Sequence, residues 1–213
     1  MKDICIFPIP GSVTFPGTVF PLHVFEPRYR NMLQHCLDTG MDVAICHTEK
    51  LISEGRPTET MAEALRSNRN TYRPHVITGA GQAELLSVTD DGRMYLNIHI
   101  HGRYRLVEEI QTLPFLIYRC ELMADLPEDD TQRAENIVLK DKIIHRLAAL
   151  AQDNQVIPDV LSSPEWRDKS PEEFSFQLFG LIGFDPEIMQ DLLETPSVHQ
   201  RLTLTLDLLN QVV

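Results

Sequence analysis

Residues 7–32 read FPIPGSVTFPGTVFPLHVFEPRYRNM, and this stretch decides the fold that the sequence predicts. Its apolar, strand-like runs are interrupted by prolines, which are Pro8, Pro10, Pro16 and Pro21. Because each proline removes a backbone donor from a strand ladder, the segment belongs at sheet edges and bends. Pro27 then suits the first turn of a helix, and Glu26 complements the positive end of that helix. The stretch therefore predicts an irregular β framework that leads into a helix.

The predicted helix has an apolar stripe and a defined end. The stripe follows the i, i+3, i+4, i+7, i+8 spacing of one helix face and consists of Tyr29, Met32, Leu33, Cys36 and Leu37. Gly40 suits a left-handed cap, so we expect a helix over about 27–38. Residues 51–71 are polar and without a strong period, which predicts a long loop with one helical turn near 61–65.

From residue 75 onward the pattern indicates strands. Asp90-Asp91-Gly92 is a hairpin turn signal between a strand over 75–88 and one that starts at Met94. Gly102 interrupts the alternation of the second strand, which favours a bulge there. Further strands are predicted over 4–9, 13–24, 42–47 and 115–123. Together these patterns predict a barrel-like sheet of about six short, mostly antiparallel strands.

The C-terminal part has helical patterns. Residues 125–132, DLPEDDTQ, are acidic and poor in apolar side chains, and they are the predicted linker. After them, Ile137, Ile144, Leu147 and Ala151 are predicted to face one way on a helix of about 20 residues. Later helices are predicted from Ser170, where a capping box ends in Glu173 and the helix runs to Gly183, then from Asp185 and after Pro196. The predicted domains are a β domain with one helix over 1–124, an acidic linker over 125–132 and a helical bundle over 133–213.

The overall charge limits the kinds of binding partner that we expect, and the cysteines and apolar runs indicate the cellular compartment. The chain has a formal net charge of −12, which repels phosphate backbones and anionic lipids, so we expect neither nucleic acid nor membrane as a partner. Its four cysteines lie in apolar runs without a C-x-x-C pair, which favours reduced core thiols; they are Cys5, Cys36, Cys46 and Cys120. The sequence shows no signal peptide and no apolar run near the ~20 residues of a membrane span, so we expect a cytoplasmic protein.

Residues 8–30 resemble the opening of the Lon protease N-terminal (substrate-binding) domain. Three later stretches agree with the same family: 81–85 with its glycine-led strand start, 91–105 with its hairpin, and 184–209 with its closing helices. Leu106 stands where the family often has phenylalanine, and Met189 stands where lysine is usual. The resemblance covers essentially the whole chain. It implies an α+β fold with a PUA-like β pseudo-barrel followed by a C-terminal α-helical bundle, and a role in substrate recognition.

The same resemblance implies that catalysis is absent from this sequence. Full Lon proteases follow this region with an ATPase module and a Ser/Lys peptidase. The sequence contains neither a G-x-x-x-x-G-K-[ST] phosphate loop nor a Ser-x-x-Lys pair. We therefore expect a standalone, non-catalytic binding module without catalytic residues, cofactor or metal, which recognises exposed apolar protein segments or docks on a partner protein.

The predicted peptide-binding surface lies in the proline-rich stretch. Proline-broken edge strands leave backbone donors free, so an extended peptide can be captured there by strand addition. The residues predicted to contact it are Phe15, Val19, Phe20, Leu22, Phe25, Glu26 and Arg28. For Glu26, Arg28 and Arg30, pairing that stabilises the helix start is the structural alternative to ligand contact.

Two alternative functions remain open from the sequence. His99 and His101 lie two apart on a strand and thus on one face, which predicts a small-ligand receptor or a metal-dependent enzyme that uses the barrel mouth. His47 or His75 and Glu84 are the further ligands predicted for a metal there. Solvated or hydrogen-bonded strand histidines are the structural alternative. Arg103 and Arg105 suggest an RNA-binding PUA-like protein. The sequence sets neither the client nor the oligomeric state.

Overall fold

The structure, a computed structural model, describes residues 1–53, 71–151 and 156–212. It divides into two compact units, Met1–Met123 and Ala124–Val213. The first unit is rich in strands and the second is helical, so the chain is of the α+β class. Within the described ranges, no helix combines the length and the apolar character that a membrane span requires.

The first unit contains eight strands and one helix among its described residues. They are β1 (Lys2–Pro8), β2 (Val19–Val24), α1 (Pro27–Thr39), β3 (Val43–Cys46), β4 (Thr48–Ser53), β5 (Thr71–Pro74), β6 (Ile77–Val88), β7 (Met94–Gln111) and β8 (Leu116–Leu122). Six strands form one sheet in the order β2-β7-β6-β3-β1-β8, and β7 also pairs with β8. The path β7-β6-β3-β1-β8 therefore returns to β7, and β2 lies outside it.

The pairings in this sheet are antiparallel except for the parallel pair of β1 and β3. Helix α1 packs on the sheet with the predicted stripe, and Tyr29, Met32, Leu33 and Cys36 are buried. Gly40 ends the helix in the left-handed conformation, at φ 70°, which glycine adopts without a Cβ penalty. The sequence prediction for α1 is thus confirmed.

Two predicted elements of the first unit differ from the structure. The predicted strand over 13–24 shortens to β2, because Gly17 turns the chain at φ 79° and donates its N–H to the carbonyl oxygen of Ile100 at 2.7 Å. The two ends of the predicted loop over 51–71 lie in strands, since residues 51–53 belong to β4 and residue 71 belongs to β5. These two strands pair in a separate two-stranded sheet, and the rest of the predicted loop lies outside the described residues. The helical turn predicted over 61–65 lies outside the described residues.

The close pairing of β6 and β7 depends on a glycine and a bulge. A Cβ at Gly81 would overlap the carbonyl oxygen of His99, so only glycine permits this approach of the two backbones. Ala80 pairs with Gly102 while Gly81 pairs with Ile100, so His101 is the extra residue of a β-bulge. The sequence predicted a bulge next to this position, at Gly102.

The second unit contains six α-helices and a short 3-10 helix among its described residues. They are α2 (Asp130–Leu150), α3 (Val156–Ser162), α4 (Pro164–Asp168), α5 (Pro171–Gln177), the 3-10 helix Leu178–Gly180, α6 (Pro186–Glu194) and α7 (Val198–Gln211). Helix α2 begins inside the predicted linker 125–132, because Asp129 and Gln132 form a capping box. The predicted capping box of Ser170 and Glu173 starts α5. This helix ends before the predicted Gly183, since the chain continues as the 3-10 turn.

The buried face of α2 agrees with the prediction at Leu147 and differs from it at Ile137. Ile137 was predicted to face inward, yet its side chain is 55% exposed, whereas Asn136, Lys140, Ile143 and Leu147 are buried. The ammonium group of Lys140 donates to the carbonyl oxygens of Arg167 and Lys169 at 2.7 and 2.6 Å. These hydrogen bonds satisfy the buried ammonium group, so Lys140 can lie on the buried face of α2. A pattern of apolar residues does not predict a lysine on that face.

Candidate functional site

Strand β2 is an edge of the six-stranded sheet. It pairs with β7 from Val19 opposite His99 to Val24 opposite Met94, and no other described strand pairs with it. Val19, Pro21 and His23 are exposed while the side chains between them point inward. One side of β2 is therefore open to solvent, as the prolines of the sequence predict.

The structure separates the predicted peptide-binding residues into buried and accessible ones. Phe15 and Leu22 are core residues, 1% and 6% exposed, so the prediction that they line the surface is wrong for this conformation. Val19 is 51% exposed, whereas Phe20 and Phe25 are partly buried, Phe20 against the core of the first unit. Alternation along a strand indicates which side chains share a face, and packing decides which face is inward.

Glu26 and Arg28 form an ion pair at the start of α1. Their side chains approach to 3.2 Å and are only 13% and 14% exposed. The guanidinium group of Arg28 also lies 4.5 Å from the ring centre of Tyr29, whose pKa burial raises to about 12. The guanidinium group of Arg30 donates to the carbonyl oxygen of Gly92 at 3.2 Å and ties α1 to the β6–β7 hairpin. These contacts agree with the structural interpretation of this trio.

The outward side of β2 carries an apolar and aromatic surface. The ring of His23 stacks on Tyr95 of β7 at 4.5 Å, and the ring of Phe25 lies 6.1 Å from that of His23. With Val19 and Pro21, these side chains form what we name the β2 face. Such a face can pack apolar side chains of another chain. Since Pro21 has no N–H, the β2 edge offers a broken series of backbone donors.

The histidines of the alternative metal site point to different carboxylates. His99 Nε2 lies 2.8 Å from Glu84 Oε2, and His101 Nε2 lies 3.0 Å from Asp42 Oδ2. His47 and His75 stack on each other at 5.0 Å. His99 and His101 therefore do not converge on one ligand, because each pairs with its own carboxylate. This agrees with the structural alternative of hydrogen-bonded strand histidines.

Asp42 is the centre of a polar cluster that the sequence does not reveal. Its fully buried carboxylate accepts hydrogen bonds from Lys2 Nζ at 2.5 Å, from His101 and from the amide of Gln82. Burial alone would raise the pKa of Asp42, but the hydrogen bonds from Lys2 and His101 outweigh it and hold the pKa below its usual value. Because the partners lie on different strands, the cluster stabilises the sheet.

The two arginines of the RNA interpretation lie in different environments. Arg103 is 2% exposed and its Nε donates to the carbonyl oxygen of Met123 at 3.2 Å. Arg105 is exposed. Of this pair, only Arg105 can reach a phosphate in this conformation.

The cysteines are free and buried, as the sequence predicts. Burial raises the pKa of the Cys46 and Cys120 thiols to about 12. Since the thiolate is the nucleophilic form, these two side chains are unreactive at neutral pH.

Comparison with known proteins relates the whole chain to one family. The family model described as the ATP-dependent protease La (LON) substrate-binding domain matches residues 3–211. Lon protease homolog 3, mitochondrial, from Arabidopsis thaliana is 24% identical over 233 aligned residues. That alignment covers 99% of this chain and 23% of the relative, so this chain spans about a quarter of the relative's length.

Two solved structures share the fold over 100% of both chains. A Lon N-terminal domain protein from Xanthomonas campestris is 18% identical with a TM-score of 0.63. The N-terminal domain of a Lon protease from the Mycobacterium avium complex is 14% identical with a TM-score of 0.70. The likeness supports the α+β architecture described above.

Proposed function

This chain belongs to the LON substrate-binding domain family, and from that premise we propose that it is a non-catalytic module that binds exposed apolar segments of other proteins. The family establishes a substrate-recognition module linked to proteolysis through the Lon homologues. The proposal adds the kind of segment bound and the surface that binds it.

The β2 face is the observation that carries this proposal. It combines an exposed apolar residue, Val19, a stacked ring pair, His23 and Tyr95, and an open strand edge. Apolar contacts supply affinity without reading a particular sequence, and the open edge accepts main-chain hydrogen bonds. Of the predicted contact residues, the proposal keeps Val19 and Phe25 on the β2 face, with Glu26 and Arg28 as a preformed ion pair beside it. Phe20 packs against the core and is not part of this face.

The proposal also covers the type of barrel, the domain bounds, the kind of partner and the cellular compartment. The closed path of pairings from β7 through β6, β3, β1 and β8 supports the name PUA-like pseudo-barrel for the first unit. Residues 1–124 are proposed as the β domain, and the predicted linker 125–132 is shortened to 125–129, because α2 begins the helical bundle at Asp130. The net charge of −12 disfavours anionic partners, so we propose a protein partner, without nucleic acid, membrane or cofactor, in the cytoplasm.

The proposal is tested by fluorescence anisotropy with two labelled ten-residue peptides. One peptide is rich in valine, leucine and phenylalanine, and in the other serine replaces these residues. We expect saturable binding of the apolar peptide with a Kd below about 100 μM, and none of the serine peptide. Val19→Lys should weaken binding about tenfold, because it places a charge on the β2 face.

Val107→Lys is the matched control, because Val107 is 48% exposed on β7 and lies outside the β2 face. It should leave the affinity unchanged. Equal loss in both variants would reject the β2 face as the binding surface. Failure of the native chain to bind the apolar peptide would reject the proposed function itself.

A further inference from the structure

Strand β7 connects the β2 face to a carboxylate on β6. Pro21 of β2 pairs with Asn97 of β7, and Asn97 pairs on its other side with Glu84 of β6. Residues that lie opposite each other on paired strands have their side chains on the same side of the sheet. Glu84 therefore lies on the same side as the β2 face, with its Cα two strand spacings, or about 10 Å, from that of Pro21.

Glu84 keeps one oxygen for a further ligand. Its Oε2 accepts a hydrogen bond from Nε2 of His99 at 2.8 Å, and its side chain is 55% exposed. Within the part of the chain that the structure describes, Oε1 of Glu84 has no hydrogen-bond partner. Since an ionised carboxylate accepts hydrogen bonds at both oxygens, Glu84 can bind a donor group of another molecule.

Among the described residues, no arginine or lysine forms an ion pair with Glu84. Two arginines flank the β2 face in the sequence, Arg28 after β2 and Arg93 before β7. They are paired with Glu26 at 3.2 Å and with Asp91 at 3.0 Å. The net charge of −12 adds a negative potential around the same surface. The surroundings of the β2 face therefore attract a cation and repel an anion.

The aromatic part of the β2 face also favours a cation. The rings of His23 and Tyr95 stack at 9° to each other, and Tyr95 lies two residues from Asn97 along β7. The stacked rings are thus close to Glu84 on the same side of the sheet. A guanidinium group stacks on aromatic faces and binds carboxylates with two parallel hydrogen bonds. Arginine is therefore the side chain that fits this combination of groups.

We propose that the β2 face selects apolar segments that carry an arginine, and that Glu84 sets this preference. The inference rests on the proposed function, because it names the chemistry of the client at that same surface. A client with an acidic residue at the corresponding place meets the Glu84 carboxylate and the negative potential of the chain. Its binding is weakened, so attraction and repulsion together produce the specificity.

Fluorescence anisotropy with three apolar ten-residue peptides tests the proposal. The peptides are rich in valine, leucine and phenylalanine and differ in one central residue, which is arginine, glutamine or glutamate. We expect the arginine peptide to bind about tenfold more tightly than the glutamate peptide, with the glutamine peptide between them. The ratio should shrink between about 0.05 and 0.5 M salt, because ions screen exposed charges.

Glu84→Gln separates the role of this carboxylate from that of the net charge. It should lower the ratio of the arginine and glutamate affinities at least about threefold, since it removes the charge and keeps the size of the side chain. Glu121→Gln is the matched control, because it changes the net charge equally at an exposed position of β8. It should leave the ratio nearly unchanged.

The outcomes distinguish this inference from the proposed function. Equal Kd values for the arginine and glutamate peptides would overturn the inference, while binding of the glutamine peptide would still support the proposed function. An equal fall of the ratio in both variants would assign the preference to the net charge and would also overturn the role of Glu84. If the native chain does not bind the glutamine peptide, the proposed function is rejected, and the inference with it.

Discussion

At the residue scale, Asp42 links stability to pH. Its buried carboxylate is held ionised by Lys2 and His101, which lowers its folded pKa. Because the folded pKa lies below the unfolded value of about 4, the unfolded chain binds the proton more readily. The stability from Asp42 is therefore fully present above that pH, and it is lost as the pH falls through the folded pKa.

Asp42→Asn tests this linkage. We expect it to lower the free energy of unfolding by about 1–2 kcal/mol at pH 7, a modest loss because Lys2 and His101 are partly exposed to solvent. The difference from the native chain should shrink below about pH 4. Urea unfolding at both pH values measures it. Glu121→Gln, at an exposed position of β8, is the control, and an equal effect at both pH values for Asp42→Asn would contradict the account.

Asp125 is the counter-charge of a buried arginine in the second unit. Its carboxylate binds both terminal nitrogens of Arg201, at 2.9 and 2.8 Å, and Arg201 is fully buried. The guanidinium group also lies 3.7 Å from the ring centre of Phe176. Removing the carboxylate leaves a buried cation without its counter-charge.

Asp125→Ala should cost about 3–5 kcal/mol, the usual loss when one partner of a buried ion pair is removed. Trp166, the single tryptophan of the sequence, lies in the same apolar core as Leu202, so its fluorescence reports the unfolding of this unit. Asp130→Ala removes an exposed carboxylate of the same helical unit and should change the midpoint little. Equal midpoints for native and Asp125→Ala chains would show that the pair contributes nothing.

At the scale of the elements, β6 depends on close contact with β7. Gly81→Ala would place a Cβ against the carbonyl oxygen of His99, so the strands must separate. We expect a loss of about 2–3 kcal/mol in the free energy of unfolding. Gly183→Ala is the matched control, because no atom lies within 4 Å of the added Cβ, and it should change stability by less than about 1 kcal/mol. Denaturant midpoints of the two variants separate a steric cause from a general intolerance of alanine.

The helix boundaries were predictable where neighbouring residues set them. Pro27 and Gly40 bound α1, and Ser170 with Glu173 starts α5, because each of these signals acts within one helical turn. Ile137 was placed inward wrongly, because the buried face of α2 depends on carbonyl groups near residues 167–169 that bind Lys140.

The candidate site was predictable only in part, because the burial of its side chains depends on residues that are distant in the sequence. Pro21 signals an edge strand from the sequence alone, and β2 is an edge. The burial of Phe15 and Leu22 depends on packing with distant elements, and so does the cluster that joins Lys2, Asp42 and His101. The exposure of Leu85, Leu86 and Val88 was not predicted, because an apolar strand segment has the same sequence pattern whether or not another element covers it.

At the scale of the whole molecule, the chain combines a net charge of −12 with an exposed apolar face on strand β2. The β2 face is proposed for clients, and Val19→Lys tests that assignment. The family gives the general role of substrate recognition. We propose that the accessible apolar side chains of the β2 face serve that role, since an unfolded client differs from a folded one mainly in its exposed apolar side chains and free backbone groups.

Isothermal titration calorimetry with one protein in two states tests this role most directly. Reduced and alkylated lysozyme, which stays unfolded, and native lysozyme have nearly the same sequence and differ in exposed apolar surface. We predict saturable binding of the unfolded form with a negative heat-capacity change and a Kd below about 100 μM, and no binding of the native form. No saturable heat with the unfolded form, or equal heats with both forms, would contradict the account.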